Sequence, residues 1–288
     1  MFCDLRSPGE SPSFFARFAR GTGQAPCLRG WRRYNLFMTA RIAIPVPHSD
    51  AEYAGRALPQ YEQAVALAGG EPVRVPLDRT PAEVMKLIER CDAVLLPGSK
   101  ADVDPAKFDA PRHPETAAMD VKRDTVDELL LQDAYNMRKP VLGICYGLQI
   151  LNVYRSGTLL QHIESPVNHA AGRAVPVAHS VELAPESNLA RIVRGEGRSA
   201  AASVLPVNSS HHQSAEVIGD GLRIAARCAE DGIVEAVEGT APDHFVLAVQ
   251  WHPERSVEQD SASLAIFRAL VEAAESRHKQ LAGEFEAV

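Results

Sequence analysis

The sequence contains no Cys-x-x-Cys pair, no HExxH run and no apolar stretch near the roughly 20 residues that a membrane span needs. Its five cysteines, Cys3, Cys27, Cys91, Cys145 and Cys228, are odd in number and widely spaced. Neither a zinc knuckle nor a redox dithiol is indicated, and free thiols in a reducing compartment, the cytoplasm, are expected. Basic charge is also scarce: 30 Lys and Arg stand against 37 Asp and Glu, for a net charge of −7. Nucleic-acid binding needs a basic face, so that class is not expected; a local basic pocket for a small anion remains compatible. Internal repeats and long linkers are absent. What is present, 45% hydrophobic and 23% charged residues over 288 positions, suits an ordinary globular protein long enough to build a core without staples.

The first 37 residues differ in texture from the rest. They carry Arg6, Arg17, Arg20, Arg29, Arg32 and Arg33 against Asp4 and Glu10, with frequent Gly, Pro and Ser and no sustained period. Such a segment reads as a disordered or artefactual extension (1–38), through a transit-like leader or a start codon placed upstream of Met38. From residue 41 apolar strands alternate with amphipathic stretches. Strands are expected at 41–46, 72–75, 93–96 and 141–144, with helices over 53–67, from 80 onward after a Thr-Pro-x-Glu start, and over 116–137. Beyond residue 157 shorter strands follow at 175–183, 203–207, 221–228, 233–238 and 245–250, then a helix over 257–277. The expected architecture is one α/β domain (39–278) with a mostly parallel central sheet and helices on both faces, followed by a short tail (279–288).

The most informative segment is Gly143-Ile144-Cys145-Tyr146-Gly147-Leu148-Gln149. An all-apolar strand ends at Ile144 and a helix begins near Tyr146, so Cys145 sits on the sharp turn between them with a glycine two residues to either side. That is the layout of a nucleophile elbow, where small neighbours are needed because the turn is tight. A helix N-terminus beside the sulfur favours thiolate, and its free N–H groups point where an oxyanion would form. A lowered thiol pKa, and alkylation of Cys145 ahead of Cys91 and Cys228, are expected; the last two lie in apolar runs and read as core residues.

A thiol nucleophile needs a base, and the base an orienting group. Val249-Gln250-Trp251-His252-Pro253-Glu254 supplies both on extended backbone, where residues i and i+2 face one side. The elbow and this Trp-His-Pro-Glu end together resemble a class I glutamine amidotransferase domain. Within that superfamily the chain is similar to the free-standing γ-glutamyl hydrolases, especially the γ-glutamyl-γ-aminobutyrate hydrolases of putrescine breakdown. Further support comes from Leu96-Pro97-Gly98-Ser99-Lys100-Ala101-Asp102-Val103-Asp104-Pro105, the Asp120 to Glu128 helix, Leu151-Asn152-Val153 and Val207-Asn208-Ser209-Ser210-His211-His212-Gln213. The likeness covers about residues 41–275 and implies a flavodoxin-like fold.

It further implies that Cys145 forms a γ-glutamyl thioester, that His252 moves the protons and that Glu254 holds His252. The N–H of Tyr146 and one from Gly98-Ser99 would form the oxyanion hole, and Gln149, His211 and His212 would line the glutamyl side of the pocket. The chain departs from the family pattern at Tyr146, at Arg155-Ser156-Gly157-Thr158 in place of Gly-Gly-Thr, and at Gln161-His162 in place of Gln-Asp; these changes bear on substrate choice. The expected partner is a small-molecule γ-glutamyl substrate, with homodimerisation left open and no membrane or nucleic acid involved. Two other functions compete: a glutaminase subunit handing ammonia to a separate synthetase, and a catalytically silent sensor of γ-glutamyl compounds.

Other signals are read more plainly. His211 and His212 are adjacent and so point apart on extended backbone, which makes them a poor ligand pair; no metal and no cofactor are expected. Asp102 and Asp104 before Pro105 read as turn formers. Gly98-Ser99-Lys100 lacks the earlier glycine of a phosphate loop. Asp120, Arg123, Asp124, Asp127 and Glu128 have the three- and four-residue spacing of a salt-bridged, solvated helix face.

Overall fold

The computed structural model describes residues 39–194 and 204–286. The expected N-terminal extension, the first residue of the strand expected from 203 and the last two residues of the expected tail lie outside them. A nine-stranded sheet runs through the described residues in the order β2-β1-β3-β4-β11-β10-β9-β6-β7. Its parallel half is β1 (Arg41–Pro45), β2 (Glu71–Val75), β3 (Ala93–Leu96), β4 (Val141–Ile144) and β11 (Val246–Val249). The other half is antiparallel: β10 (Val234–Gly239), β9 (Leu222–Cys228), β6 (His179–Leu183) and β7 (Val204–Val207). A two-stranded ribbon joins β5 (Leu159–Leu160) and β8 (Ser214–Ala215).

The continuous apolar runs of β3, β4 and β11 follow from burial on both faces, since every residue in them is buried. Their side chains alternate between two cores. Ile42, Ile44, Leu95, Leu142, Ile144, Leu247 and Val249 pack with α1 (Ala51–Leu67), α5 (Asn188–Arg194) and α6 (Ser261–Glu286). Ala43, Val94, Leu96, Val141 and Ala248 pack with α2 (Pro81–Ile88), α3 (Val121–Met137) and α4 (Tyr146–Tyr154). Each fully buried Leu or Ile contributes about 1.5–3 kcal/mol, so the two-layered cover is what holds the sheet together.

The helix starts are chemically marked. Asp50 accepts from the N–H groups of Glu52 and Tyr53 at the head of α1, and Thr80 and Glu83 form a reciprocal capping box at α2 with Pro81 in the first turn. Asp104 accepts from Ala106 N–H and opens a short 3-10 turn over Pro105–Phe108, the turn-forming role expected of it. The C-terminal helix runs to Glu286, past the end expected near 277. The run Lys279-Gln280-Leu281-Ala282 holds good helix formers and no proline, so nothing in it stops the helix near 277.

The acidic-basic stripe on α3 is not a solvated face. Asp120, Arg123, Asp124 and Asp127 are all buried. Arg123 donates through Nε to both Asp127 oxygens at 2.8 Å, through Nη1 to the Pro47 carbonyl and through Nη2 to the Pro97 carbonyl, each at 2.8 Å. The side chain thus ties the loops that leave β1 and β3 to α3. Four-residue spacing of opposite charges is the same whether the pair faces water or the interior, which is why periodicity alone misleads here.

Candidate active site

Three neighbouring parallel strands deliver the site at their C-terminal ends, the usual place for chemistry in an open α/β sheet. β4 lies between β3 and β11, with Ile144 level with Val249. The next residue after β4 is Cys145, whose N–H donates to the Val249 carbonyl at 2.8 Å. Its φ of 54° and ψ of −107° turn the chain abruptly into α4, a conformation that costs a non-glycine residue energy and persists because the surroundings enforce it. The two flanking glycines are needed for close approach. A Cβ on Gly143 would lie 2.7 Å from the Gly147 carbonyl oxygen, and one on Gly147 would collide with the Leu96 carbonyl oxygen.

His252 follows β11 and is itself buried. Its Nδ1 lies 2.8 Å from Glu254 Oε1, so the spacing of two places ring and carboxylate together as expected. Its backbone is clamped by Asn208, whose Oδ1 accepts from His252 N–H and whose Nδ2 donates to the His252 carbonyl, both at 2.9 Å. The outward nitrogen, Nε2, has no hydrogen-bond partner among the described residues. Gly98, after β3, closes the arrangement. A Cβ built on it would be 3.0 Å from His252 Cε1 and 3.5 Å from Cys145 Cβ. Thiol and imidazole therefore flank one point, beneath the bend of the Gly98 loop.

The electrostatics differ from the sequence-based expectation in one respect. Burial pushes the Cys145 thiol up to about 12, against the opposing pull of Arg255 and of the Tyr146 N–H directed at the sulfur. Cys91 and Cys228 are raised as well, to about 11 and about 12, also by burial. The direction is opposite to the lowering expected from the helix terminus, because burial of the thiolate outweighs Arg255 and the Tyr146 N–H. Burial also lowers His252, opposed by Glu254. For Glu254 burial works against ionisation, yet His252 and Arg255 hold its carboxyl below the usual range. Both shifts favour the uncharged forms of the thiol and the imidazole.

The remaining expected residues are placed unevenly. Tyr146 begins α4 and is buried under Arg123, whose guanidinium lies 5.1 Å from its ring. The Gly98 N–H donates to Tyr61 Oη at 3.0 Å. Gln149 is buried and donates to the Gln213 carbonyl. Asp102 accepts from Ala117 N–H and Gln213 Nε2 and pairs with His212, whose pKa it raises chiefly through that hydrogen bond. His211 goes elsewhere: its Nε2 lies 3.5 Å from Glu235, in a buried group with His169 and His179. His211 and His212 do point apart. The two clusters unite residues from distant segments, so His169, His179, Glu235 and the Asn208 clamp left no local spacing to read. Ser156, where the family pattern has glycine, takes a φ of 67°.

Among solved structures, the fold is similar to a putative GMP synthase component from Thermoplasma acidophilum (TM-score 0.59, 17% identity, 84% of this chain and 98% of that one). It is similar also to the glutaminase domain of Trypanosoma brucei CTPS with bound acivicin (TM-score 0.56, 19% identity, 82% and 94%). The architecture is that of the class I glutamine amidotransferase domains. Residues 42–254 match the Peptidase C26 family, and the chain belongs to it. A putative glutamine amidotransferase of Mycobacterium tuberculosis is 37% identical over 225 residues, 77% of this chain and 68% of that protein. The γ-glutamyl-γ-aminobutyrate hydrolase of Escherichia coli K12 is 32% identical over 225 residues, 74% of this chain and 84% of the relative. A hydrolase of glutamine amidotransferase type is therefore the coarse assignment. None of the described helices is long and apolar enough to cross a membrane.

Proposed function

We propose that the protein hydrolyses γ-glutamyl amide bonds through a thioester on Cys145, with γ-glutamyl-γ-aminobutyrate as the substrate that the 32%-identical relatives favour. The observation that carries the reading is the convergence on Gly98 of a strained Cys145 and a His252 whose Nε2 is unpartnered while its Nδ1 is held by Glu254. In the first half-reaction Cys145 Sγ bonds to the γ-carbonyl carbon as its proton passes to His252 Nε2. The C–N bond then breaks and the same proton leaves with the amine. In the second half His252 takes a proton from water, hydroxide adds to the thioester carbonyl, and glutamate departs as the thiol is restored. Glu254 keeps the ring in the tautomer that leaves Nε2 free and stabilises the imidazolium between steps.

The raised thiol pKa suits this order of events: no ion pair stands ready, and the proton moves as the bond forms. The Tyr146 N–H and the Gly98-Ser99 loop are the donors for the oxyanion; Gly98 N–H serves by exchanging Tyr61 Oη for the substrate oxygen. One such donor is worth about 100- to 1,000-fold in rate.

The test is glutamate release from γ-glutamyl-γ-aminobutyrate, glutamine and a folate polyglutamate, by wild type and Cys145→Ala. Turnover of the first substrate by wild type alone, with the variant still binding it, is expected. Turnover by Cys145→Ala removes the mechanism, and glutamine hydrolysis in preference to the dipeptide-like amide removes the substrate assignment.

A further inference from the structure

Beside the candidate active site, four side chains from four separate segments meet in the interior. They are His169 in the loop between β5 and β6, His179 at the start of β6, His211 in the loop between β7 and β8, and Glu235 on β10. Their side chains are 3%, 1%, 1% and 0% exposed. Glu235 Oε1 lies 3.1 Å from His169 Nδ1, 3.4 Å from His179 Nε2 and 3.5 Å from His211 Nε2. All four donor atoms fall within 4.8 Å of one another. A tetrahedral ion bound at about 2.05 Å by nitrogen and oxygen donors spaces those donors about 3.3 Å apart. The three distances from Glu235 match edges of such a tetrahedron.

Hydrogen bonding within the group does not account for the arrangement. None of the four atoms makes a hydrogen bond among the described residues, and buried polar atoms rarely go without a partner. The far sides of two rings are engaged instead. His169 Nε2 lies 2.8 Å from Asp231 Oδ2, and His211 Nδ1 lies 3.0 Å from the Gln213 carbonyl oxygen. A carbonyl and a carboxylate only accept, so each far nitrogen carries a hydrogen, and in the neutral form of each ring the nitrogen facing Glu235 holds a lone pair. A lone pair facing a carboxylate at this range is repelled unless a cation, a proton or a metal ion, lies between them. Imidazoles braced from behind by a carboxylate or a carbonyl are also how metal-binding histidines are usually oriented.

We infer that His169, His179, His211 and Glu235 hold one divalent transition-metal ion, zinc by the chemistry of the donors, in a closed four-coordinate site. Three imidazoles and one carboxylate suit zinc; magnesium and calcium prefer oxygen-only shells with more ligands. With every position taken by protein, the ion is structural and takes no part in the reaction. Its effect is to clamp two loops to the sheet. The His169 carbonyl accepts from Ser209 Oγ at 2.6 Å and from His211 N–H at 2.9 Å, so the His169 and His211 loops are joined at backbone level as well. The His211 loop carries Asn208, which brackets His252. The ion thereby holds the base in register without touching it.

The test measures metal rather than turnover. The full chain, purified without chelators, is expected to contain one zinc per molecule by elemental mass spectrometry. Chelator treatment should lower its melting temperature and Zn(II) alone should restore it. Replacement by Co(II) should give the intense visible absorption of tetrahedral cobalt. Glu235→Gln and His179→Gln should each lower zinc content at least tenfold, while His278→Gln and Cys228→Ser should keep it. If the two ligand variants fail to fold, the wild-type zinc content and cobalt spectrum still decide. A wild-type chain that neither purifies with metal nor takes up Zn(II) overturns the inference. So do an octahedral cobalt spectrum, zinc retained in both ligand variants, or zinc lost in Cys228→Ser.

Discussion

Replacing Gly98 by alanine puts one methyl group between the side chains of Cys145 and His252. The methyl carbon would stand 3.0 Å from His252 Cε1, 3.0 Å from Tyr61 Oη and 3.5 Å from Cys145 Cβ. Unstrained carbon contacts lie at about 3.5–4.0 Å, so the imidazole has to withdraw by about half an ångström to one ångström. It has little freedom to do so. Glu254 holds Nδ1 at 2.8 Å and Asn208 holds the backbone on both sides at 2.9 Å. A misplacement of about 1 Å at a reacting centre costs about 100-fold, so kcat/KM should fall by about 10- to 100-fold. Stability should change far less. Gly98 has no left-handed φ, so alanine gains about 0.4–1 kcal/mol from the unfolded chain, which offsets part of a crowding cost of about 1–3 kcal/mol. The melting temperature should then move by less than about 8 °C. Glutamate release from γ-glutamyl-γ-aminobutyrate gives the first quantity and circular-dichroism melting the second. Wild-type kcat/KM in Gly98→Ala would refute the placement of His252 against this loop.

Gly147→Ala should behave in the opposite way, because its new carbon collides with backbone, at the Leu96 carbonyl. The loss should be at least the 1–3 kcal/mol typical of overpacking, read as a lower denaturant midpoint, and an unchanged midpoint would contradict the close approach of α4 to β3. Arg123→Met removes the partner of the fully buried Asp127 and the donors to Pro47 and Pro97. It should cost about 3–5 kcal/mol, and adding Asp127→Leu should recover part of that; a single variant as stable as wild type would show that the pair is not buried. The pH profile of kcat/KM should fall on the acid side as His252 gains a proton. Because burial holds its pKa below 6.5, the half-point should lie below that value. With the thiol raised to about 12, no alkaline limb from Cys145 should follow through mildly basic pH. A half-point above 6.5 would mean that a stronger anionic influence outweighs burial at the ring.

The parallel half of the sheet and the elbow were legible in the sequence because each rests on local rules. Four-residue apolar runs, Thr80-Pro81-x-Glu83 as a helix start, and glycines at 143 and 147 are short-range signals with one physical reading. His252 and Glu254 were legible for the same reason, being two residues apart on extended backbone. What escaped depends on burial or on long-range convergence. The charges of α3 look alike inside and outside a protein. Burial of the Cys145 sulfur depends on packing that the local strand-to-helix turn does not show. His169, His179, His211 and Glu235 come from segments up to 66 positions apart, and none of the spacings resembles a metal motif.

The pairing of β4 with β11 has a consequence for the chain as it is made. Cys145 leaves the ribosome about a hundred positions ahead of His252, and one flank of β4 has no neighbour until β11 slots in alongside. An emerging chain therefore carries Cys145 at the end of a strand with one open edge, and the pairing that closes that edge also brings residue 252 toward residue 145. Any agent that occupies the edge first, whether a chaperone or a second nascent chain, would keep residue 252 away from residue 145.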